Sequence, residues 1–314
     1  MRAGRFHSPY AASAESDHPA SRRLTVARRP VIQPAAGRAL GHVRRIYRPL
    51  FGAAGCALVV AMTGGGLTGA SASPTRESPL GGSPYTLLQM NLCLSGYADC
   101  YGRVAYPAGV HEAVARIRNA HPDAVTLNET CRRDVVQIAR RTGYHLRFST
   151  VTVSGKPLAC VRPGGRGHFG DAVLTRAAIT SADSHDFSAQ ANVEWRRWLC
   201  VSTRAGVDVC TAHLASRSAA NDAQCAELTA VLEARAATST VIFGGDVNRR
   251  RGCAPEHAWA ETDGSAQQAP GLQGVYGTGA LGSPSAQILP ATHTDHDVLL
   301  VTSSLWATAT YPAQ

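Results

Sequence analysis

Thr240-Val241-Ile242-Phe243-Gly244-Gly245-Asp246-Val247-Asn248 decides the reading of this chain. Its opening residues are β-branched, aromatic or glycine, the composition of a strand buried on both faces. Two polar side chains, Asp246 and Asn248, follow where such a strand opens into a loop. An Asn or Asp in that position is ordinarily a turn residue, so one such ending says little. The ending recurs three times. Asn91 closes Leu87-Leu88-Gln89-Met90-Asn91, Glu129 closes Ala124-Val125-Thr126-Leu127-Asn128-Glu129, and His213 closes Val209-Cys210-Thr211-Ala212-His213. Strand ends that open onto loops are where rigid scaffolds present reactive groups.

Around these endings, strand-like and helix-like segments largely alternate. Residues 85–92, 123–127, 144–153, 170–175, 240–244 and 298–301 read as strands. Residues 107–120 have helical spacing at Val110, Val114 and Ile117, with Pro107 in the first turn, and 133–142 form a helix that Gly143 stops. The strongest helix is 221–236, with Cys225, Leu228, Val231 and Leu232 on one face. Residues 198–203 and 207–211 read as a hairpin across Arg204-Ala205-Gly206. Counting outward from that turn sets Cys200 opposite Cys210, within disulfide reach at a non-hydrogen-bonded pair. Residues 250–292 are rich in Gly, Ala, Pro and Ser and read as loop. Hairpins mixed with helices, without an internal repeat, predict a mixed α/β or α+β domain.

The 314 residues suffice for one large domain or two small ones with a full-sized core. The net charge of +9 is not evenly spread. Residues 1–72 hold ten arginines against Glu15 and Asp17, a net +8, while the remainder has 21 basic against 20 acidic residues. Net charge therefore does not mark the folded part as a polyanion binder. The leader reads as an N-terminal extension and secretory signal: Arg44, Arg45 and Arg48 are basic, 50–62 is apolar and too short to span a bilayer comfortably, and Ala70-Ser71-Ala72 is a small-residue cleavage pattern. Export with cleavage near Ala72 and no transmembrane segment in the mature protein is expected. Residues 73–84 read as a linker and 85–314 as the domain. Without Cys56, eight cysteines remain, enough for four disulfides in an oxidising compartment, and none has the C-x-x-C spacing of a zinc site.

Taken in order, Asn91, then Leu127-Asn128-Glu129, Gly170-Asp171-Ala172-Val173-Leu174, Thr211-Ala212-His213-Leu214 and Gly244-Gly245-Asp246-Val247-Asn248 resemble the endonuclease/exonuclease/phosphatase superfamily, the fold of pancreatic deoxyribonuclease. The resemblance spans about residues 85–301. It implies an α+β fold, a four-layer α/β/β/α sandwich with two packed mixed β-sheets and outer helices. It also implies a divalent cation, usually Mg2+, held by Glu129 with Asn91 beside it, since a hard dication prefers oxygen ligands. His213 is implied to contact the phosphate or assist proton transfer, Asp246 to position or activate the attacking water, and Asn248 to hold a phosphate oxygen. Gly170 matches a structural strand. Cys131 stands where the family often has an arginine, leaving Arg132 or Arg133 as substitutes. Arg196 or Arg197 resembles a phosphate-contacting arginine, with the register open.

The family's terminal Ser/Thr-Asp-His element has two placements here. Thr294-Asp295-His296 matches it, with Asp295 and His296 in the site. Alternatively, Asp297 followed by Val298-Leu299-Leu300-Val301 resembles an earlier element whose Asp orients the terminal His, and the chain then stops short of that His. The histidines of this segment also read as solvated loop residues. The resemblance leaves the substrate open among nucleic acid, lipid head groups and small phosphoesters. Arg249-Arg250-Arg251, directly after Asn248, favours an extended polyanion and hence an extracellular nuclease. A lipid or small-molecule phosphodiesterase is the alternative, and a secreted binding protein lacking the terminal Asp-His is another. No stable protein partner is implied.

Overall fold

The computed structural model describes residues 83–305 except 217 and 280–282. The signal and the linker up to residue 82 lie outside the described residues. The elements in chain order are β1 (Ser83–Asn91), α1 (Tyr101–Val104), α2 (Ala108–Ala120), β2 (Ala124–Cys131), α3 (Arg132–Thr142), β3 (His145–Thr150), β4 (Thr152–Val153), β5 (Lys156–Pro157), β6 (Phe169–Thr175) and β7 (Ile179–Asp186). They continue with β8 (Glu194–Trp195), β9 (Arg197–Thr203), β10 (Val207–Ala212), α4 (Ala219–Ala236), β11 (Thr240–Asp246), β12 (Trp259–Thr262), β13 (Gln273–Gly277), β14 (Ser285–Leu289) and β15 (Val298–Leu305).

Two six-stranded sheets, ordered β14-β15-β1-β2-β6-β3 and β12-β13-β11-β10-β9-β7, pack face to face, with a small sheet β5-β4-β8 beside them. Each large sheet is mixed: β1 with β2 and β10 with β11 are parallel, and the other pairs are antiparallel. Leu87, Val173, Val201, Val209, Ile242, Leu299 and Val301 fill the space between the sheets. At about 1.5–3 kcal/mol per fully buried aliphatic side chain, this layer dominates the docking of one sheet on the other. Gly244 sits where the sheets approach most closely, because a Cβ there would collide with Thr126 Oγ1 and Leu87.

The helices form the outer layers as expected. Val110, Val114 and Ile117 of α2, with Val135 and Ile138 of α3, join Leu88, Met90 and Leu174 on the outside of the first sheet. Leu228 and Leu232 of α4 pack with Cys200, Cys210 and Phe243 on the outside of the second. Gly143 caps α3 in the left-handed region, φ +80°, and its N–H donates to Ala139 O. Among the described residues no helix is long and apolar enough to cross a membrane.

Cys200 pairs with Cys210 in register across β9 and β10, and the two are joined. The other bridges are Cys93–Cys100, Cys131–Cys160 and Cys225–Cys253. Residues 250–292 are not a featureless loop: they contain β12, β13 and β14. β13 escapes sequence reading because Gln273-Gly274-Val275-Tyr276-Gly277 is fully buried with glycines at two of five positions. At Gly277 a Cβ would run into the Trp259 ring of β12, so the small residue permits the pairing. β7 escapes because it is a mostly exposed, polar edge strand without alternation.

Candidate active site

The two parallel pairs end together. Asn91 closes β1, Glu129 lies near the end of β2, His213 follows β10, and Asp246 closes β11. His213 and Asp246 form a parallel bridge that extends the β10–β11 pairing by one rung. The Asn91 amide nitrogen donates to Glu129 Oε1 and Asp246 Oδ2, each at 3.0 Å, joining carboxylates from opposite sheets. Its carbonyl oxygen accepts from Cys93 N at 3.1 Å. Asn91 is therefore placed beside Glu129 as expected, with its nitrogen rather than its oxygen toward the carboxylates.

Two site residues have left-handed backbones, Glu129 at φ +54° and Asn248 at φ +52°. For Glu129 the cause is an irregularity in the β2–β6 pairing between Leu127 and Thr130, which re-aims one side chain as bulges beside reactive sites do. Asn248 N donates to Asp246 Oδ1 at 3.0 Å, and its amide nitrogen lies 3.0 Å from His213 Nε2 and 2.9 Å from Leu214 O. Asp246 Oδ2 faces His213 Nε2 at 3.7 Å and His296 Nε2 at 3.5 Å. These separations exceed a direct N–H···O bond and leave room for a ligand to tighten them.

Thr294-Asp295-His296 enters the same cleft. Thr294 Oγ1 donates to Asn91 O at 2.8 Å, and His296 is buried against Asp246. β15, which follows Asp297, pairs antiparallel with β1 in the first sheet. The Asp297 carboxylate accepts from the backbone N–H groups of Gln267, Gln268 and Ala291. Asp297 thus pins two loops, and among the described residues its carboxylate bonds no histidine. Burial pushes its pKa up, but those backbone donors and Gln268 outweigh burial and hold it below the usual range. Asp263, which the sequence reading passed over, is a buried acid nearby: burial pushes its pKa up, against the Gln273 hydrogen bonds and the His296 charge.

The arginines divide. Burial pushes the His213 imidazole well below its usual pKa, with the Arg196 and His296 charges adding to the effect. The Arg196 charge also acts on Glu129 and Asp171, and its guanidinium lies 3.3 Å from Glu194. Arg197 faces away: it donates to Thr150 O at 2.8 Å and lies 3.3 Å from Asp186. Arg249 is likewise a correction, because its guanidinium is tied to Asn221 and Asp222 at the start of α4.

Beneath the cleft lies a buried polar network that sequence reasoning missed. Asn128 Oδ1 accepts from Gln89 Nε2 and from Asp246 N, and its amide nitrogen donates to Asp171 Oδ1. Gln89 also donates to Gln273 Oε1 at 3.2 Å. The only sequence signal was polar residues interrupting apolar strands. Because Asn128 holds the Asp246 backbone directly, the network fixes one sheet's rim against the other.

The donor set suits a hard cation. Burial pushes Glu129 up to about 7; Asn91 and Arg196 oppose this, while the negative charges of Asp246 and Asp295 add to it. A dication among these oxygens relieves that repulsion, and the ligand types match magnesium. The sulfurs of Cys93 and Cys100 also lie within 4.8 Å of the Glu129 carboxylate, but they are joined in a disulfide and are not thiolate ligands.

The comparisons with known proteins agree with this architecture. The family model described as "Endonuclease/Exonuclease/phosphatase family" matches residues 99–312. Truncated TDP2 of Caenorhabditis elegans aligns with a TM-score of 0.52 at 17% identity, covering 70% of this chain and 97% of that one. An endonuclease/exonuclease/phosphatase from Beutenbergia cavernae DSM 12333 aligns with a TM-score of 0.53 at 16% identity, covering 71% and 72%. The human nocturnin catalytic domain with bound sulfate anion aligns at 0.52 and 15%, covering 70% and 94%. At these identities the likeness is one of fold. No curated protein matches the chain in sequence.

Proposed function

The chain belongs to the endonuclease/exonuclease/phosphatase family, and on that premise we propose that it is a secreted, divalent-metal-dependent phosphodiesterase acting on nucleic acid, an extracellular nuclease. Members of the family are phosphoric ester hydrolases, typically metal-dependent. The observation that carries the proposal is the convergence of His213, Asp246 and His296 from three separate chain segments, with Asp246 Oδ2 within 3.7 Å of both imidazoles.

Glu129 would hold the cation, with Asp295 adding negative charge nearby and Asn91 orienting the Glu129 carboxylate. The cation supplies positive charge to a phosphoryl oxygen. The remaining work falls to this chain's side chains. Asp246, with Oδ1 bonded to Asn248 N and Oδ2 to the Asn91 amide, turns the remaining lone pair of Oδ2 to an in-line water and accepts its proton as the new P–O bond forms. The ester P–O bond breaks, and the departing oxygen takes a proton from the His296 imidazole. His213 and Asn248 donate to a non-bridging oxygen, which enters between them and replaces their mutual contact. Arg196 adds a cation at the rim.

The position of His296 removes the motive for a binding-only reading. Wild-type protein is expected to digest plasmid DNA with magnesium and to stop in chelator, and His213→Ala and His296→Ala are each expected to lose about 10²–10⁴-fold in rate. Absence of divalent-dependent hydrolysis of any phosphodiester overturns the enzyme reading. Release of phosphocholine from sphingomyelin by a protein that leaves DNA and RNA intact moves the substrate to lipid. A mature form starting near Ser73 in culture medium, without free thiols, tests export.

A further inference from the structure

The arginine run singled out beside Asn248 is partly consumed by pairing to α4, but a second cationic surface stands on α3. Arg132-Arg133-Asp134-Val135-Val136-Gln137-Ile138-Ala139-Arg140-Arg141 places four arginines, one at each end of each of two i, i+4, i+8 rows. Val135, Ile138 and Ala139 on the opposite side are buried in the core, so the arginine rows face outward. Together with Gly167 and His168 they line an open groove of about 870 Å³ in which no acidic side chain takes part.

The pattern runs against what the helix alone favours. Cations at the first turn are disfavoured by the helix dipole, yet Arg132 and Arg133 stand there. The one acid of that turn, Asp134, is buried and bound to Arg166 Nη1 at 2.7 Å, so it does not neutralise them. The amides of Arg132 and Arg133 are also occupied, donating to His168 O and Arg166 O. Among the described residues none of the guanidinium groups of Arg132, Arg133, Arg140 and Arg141 pairs with an acid.

We propose that this groove binds the phosphate backbone of a nucleic-acid strand beyond the scissile phosphate, feeding the cleft. The proposal deepens the nuclease reading and rests on it. Chain connectivity keeps the Arg132 and Glu129 Cα atoms within about 11 Å, so the groove begins at the cleft's edge. From Arg132 to Arg140 the helix rises about 12 Å, enough for roughly three phosphates of one duplex strand. Arginine forks match phosphate oxygens, and the concave surface has only Val136 as an apolar contributor. An anionic membrane would instead need apolar side chains to insert.

The test uses the full chain with Arg140→Gln/Arg141→Gln and, separately, Arg132→Gln/Arg133→Gln. Hydrolysis of bis(4-nitrophenyl) phosphate reports the cleft alone and is expected to stay at the wild-type rate in the Arg140/Arg141 variant. On kilobase DNA that variant is expected to show a KM about tenfold higher. The slope of log(kcat/KM) against log salt should be shallower by about 1.8, two contacts at about 0.9 each. DNA cleavage whose KM and salt slope survive both double substitutions overturns the groove and leaves the nuclease reading standing. Wild-type protein that hydrolyses the small diester but neither DNA nor RNA overturns both. Loss of binding to phosphatidylserine vesicles with unchanged DNA kinetics assigns the groove to a lipid surface and overturns the proposal.

Discussion

Glu129, on the rim of the first sheet, and Asp246, on the rim of the second, share the Asn91 amide but sit in different states. Asp246 is tied on both oxygens, to Asn91 and to Asn248 N, and its backbone is held by Asn128. Among the described residues the Glu129 carboxylate accepts one hydrogen bond, from Asn91, on a left-handed backbone, and burial pushes its carboxyl up to about 7. One carboxylate is pre-organised for a fixed role, and the other is under-coordinated. Under the proposed mechanism that difference suits Glu129 to a cation and Asp246 to a proton.

Asp246→Asn is the harshest way to break the comparison. It keeps the shape and most hydrogen bonds but removes the proton acceptor, so kcat is expected to fall about 10²–10⁴-fold with little change in thermal midpoint. A variant with near-normal kcat would place proton transfer elsewhere.

Glu129→Gln separates the halves by stability. Because the folded-state pKa of Glu129 is raised from 4.5 to about 7, its contribution is fully present below the lower value and lost as pH rises through the upper. In chelator, wild type should therefore be weaker at pH 8 than at pH 5 by on the order of 2–3 kcal/mol from this group, and the Gln variant should lack that loss. Urea unfolding at the two pH values measures it; equal pH dependence in both proteins refutes the assignment. Added magnesium should stabilise wild type at pH 8 and not the variant.

Asp297→Asn acts on the loop that carries His296. The folded pKa of Asp297 is lowered, so its stabilisation exists above its unfolded value and disappears as pH falls through the folded one. A loss of about 2 kcal/mol at pH 7 is expected, shrinking toward nothing in acid. The gentlest contrast is Arg196→Ala against Arg197→Ala: KM should rise severalfold in the first and hold in the second, and the reverse would invert the register described for β8 and β9.

Legibility followed the way each residue is held. Strand ends with polar residues were readable because apolar runs stop sharply at Asn91, Glu129, His213 and Asp246. Cys200–Cys210 was readable because a tight hairpin makes register a matter of counting. Arg249 and Arg197 were misplaced because a sequence run carries no record of the acids, Asp222 and Asp186, that capture them in space. Asp297 was open to two readings because an Asp before an apolar strand fits either, and a sequence does not show that its carboxylate is taken up by the backbone of Gln267, Gln268 and Ala291. Gln89, Asn128, Asp171 and Asp263 were invisible, since their partners come from strands far apart in the chain.

The pairing of β15 with β1 joins Leu305 to Ser83 across more than two hundred intervening residues. Contacts of such long sequence separation form late, because loop closure must precede their reward. The segment that delivers Thr294 to the Asn91 carbonyl is the one that completes this ladder. In an emerging polypeptide His213 and Asp246 are therefore both made before the segment that brings Thr294 and His296 to the cleft, so the cleft is assembled late.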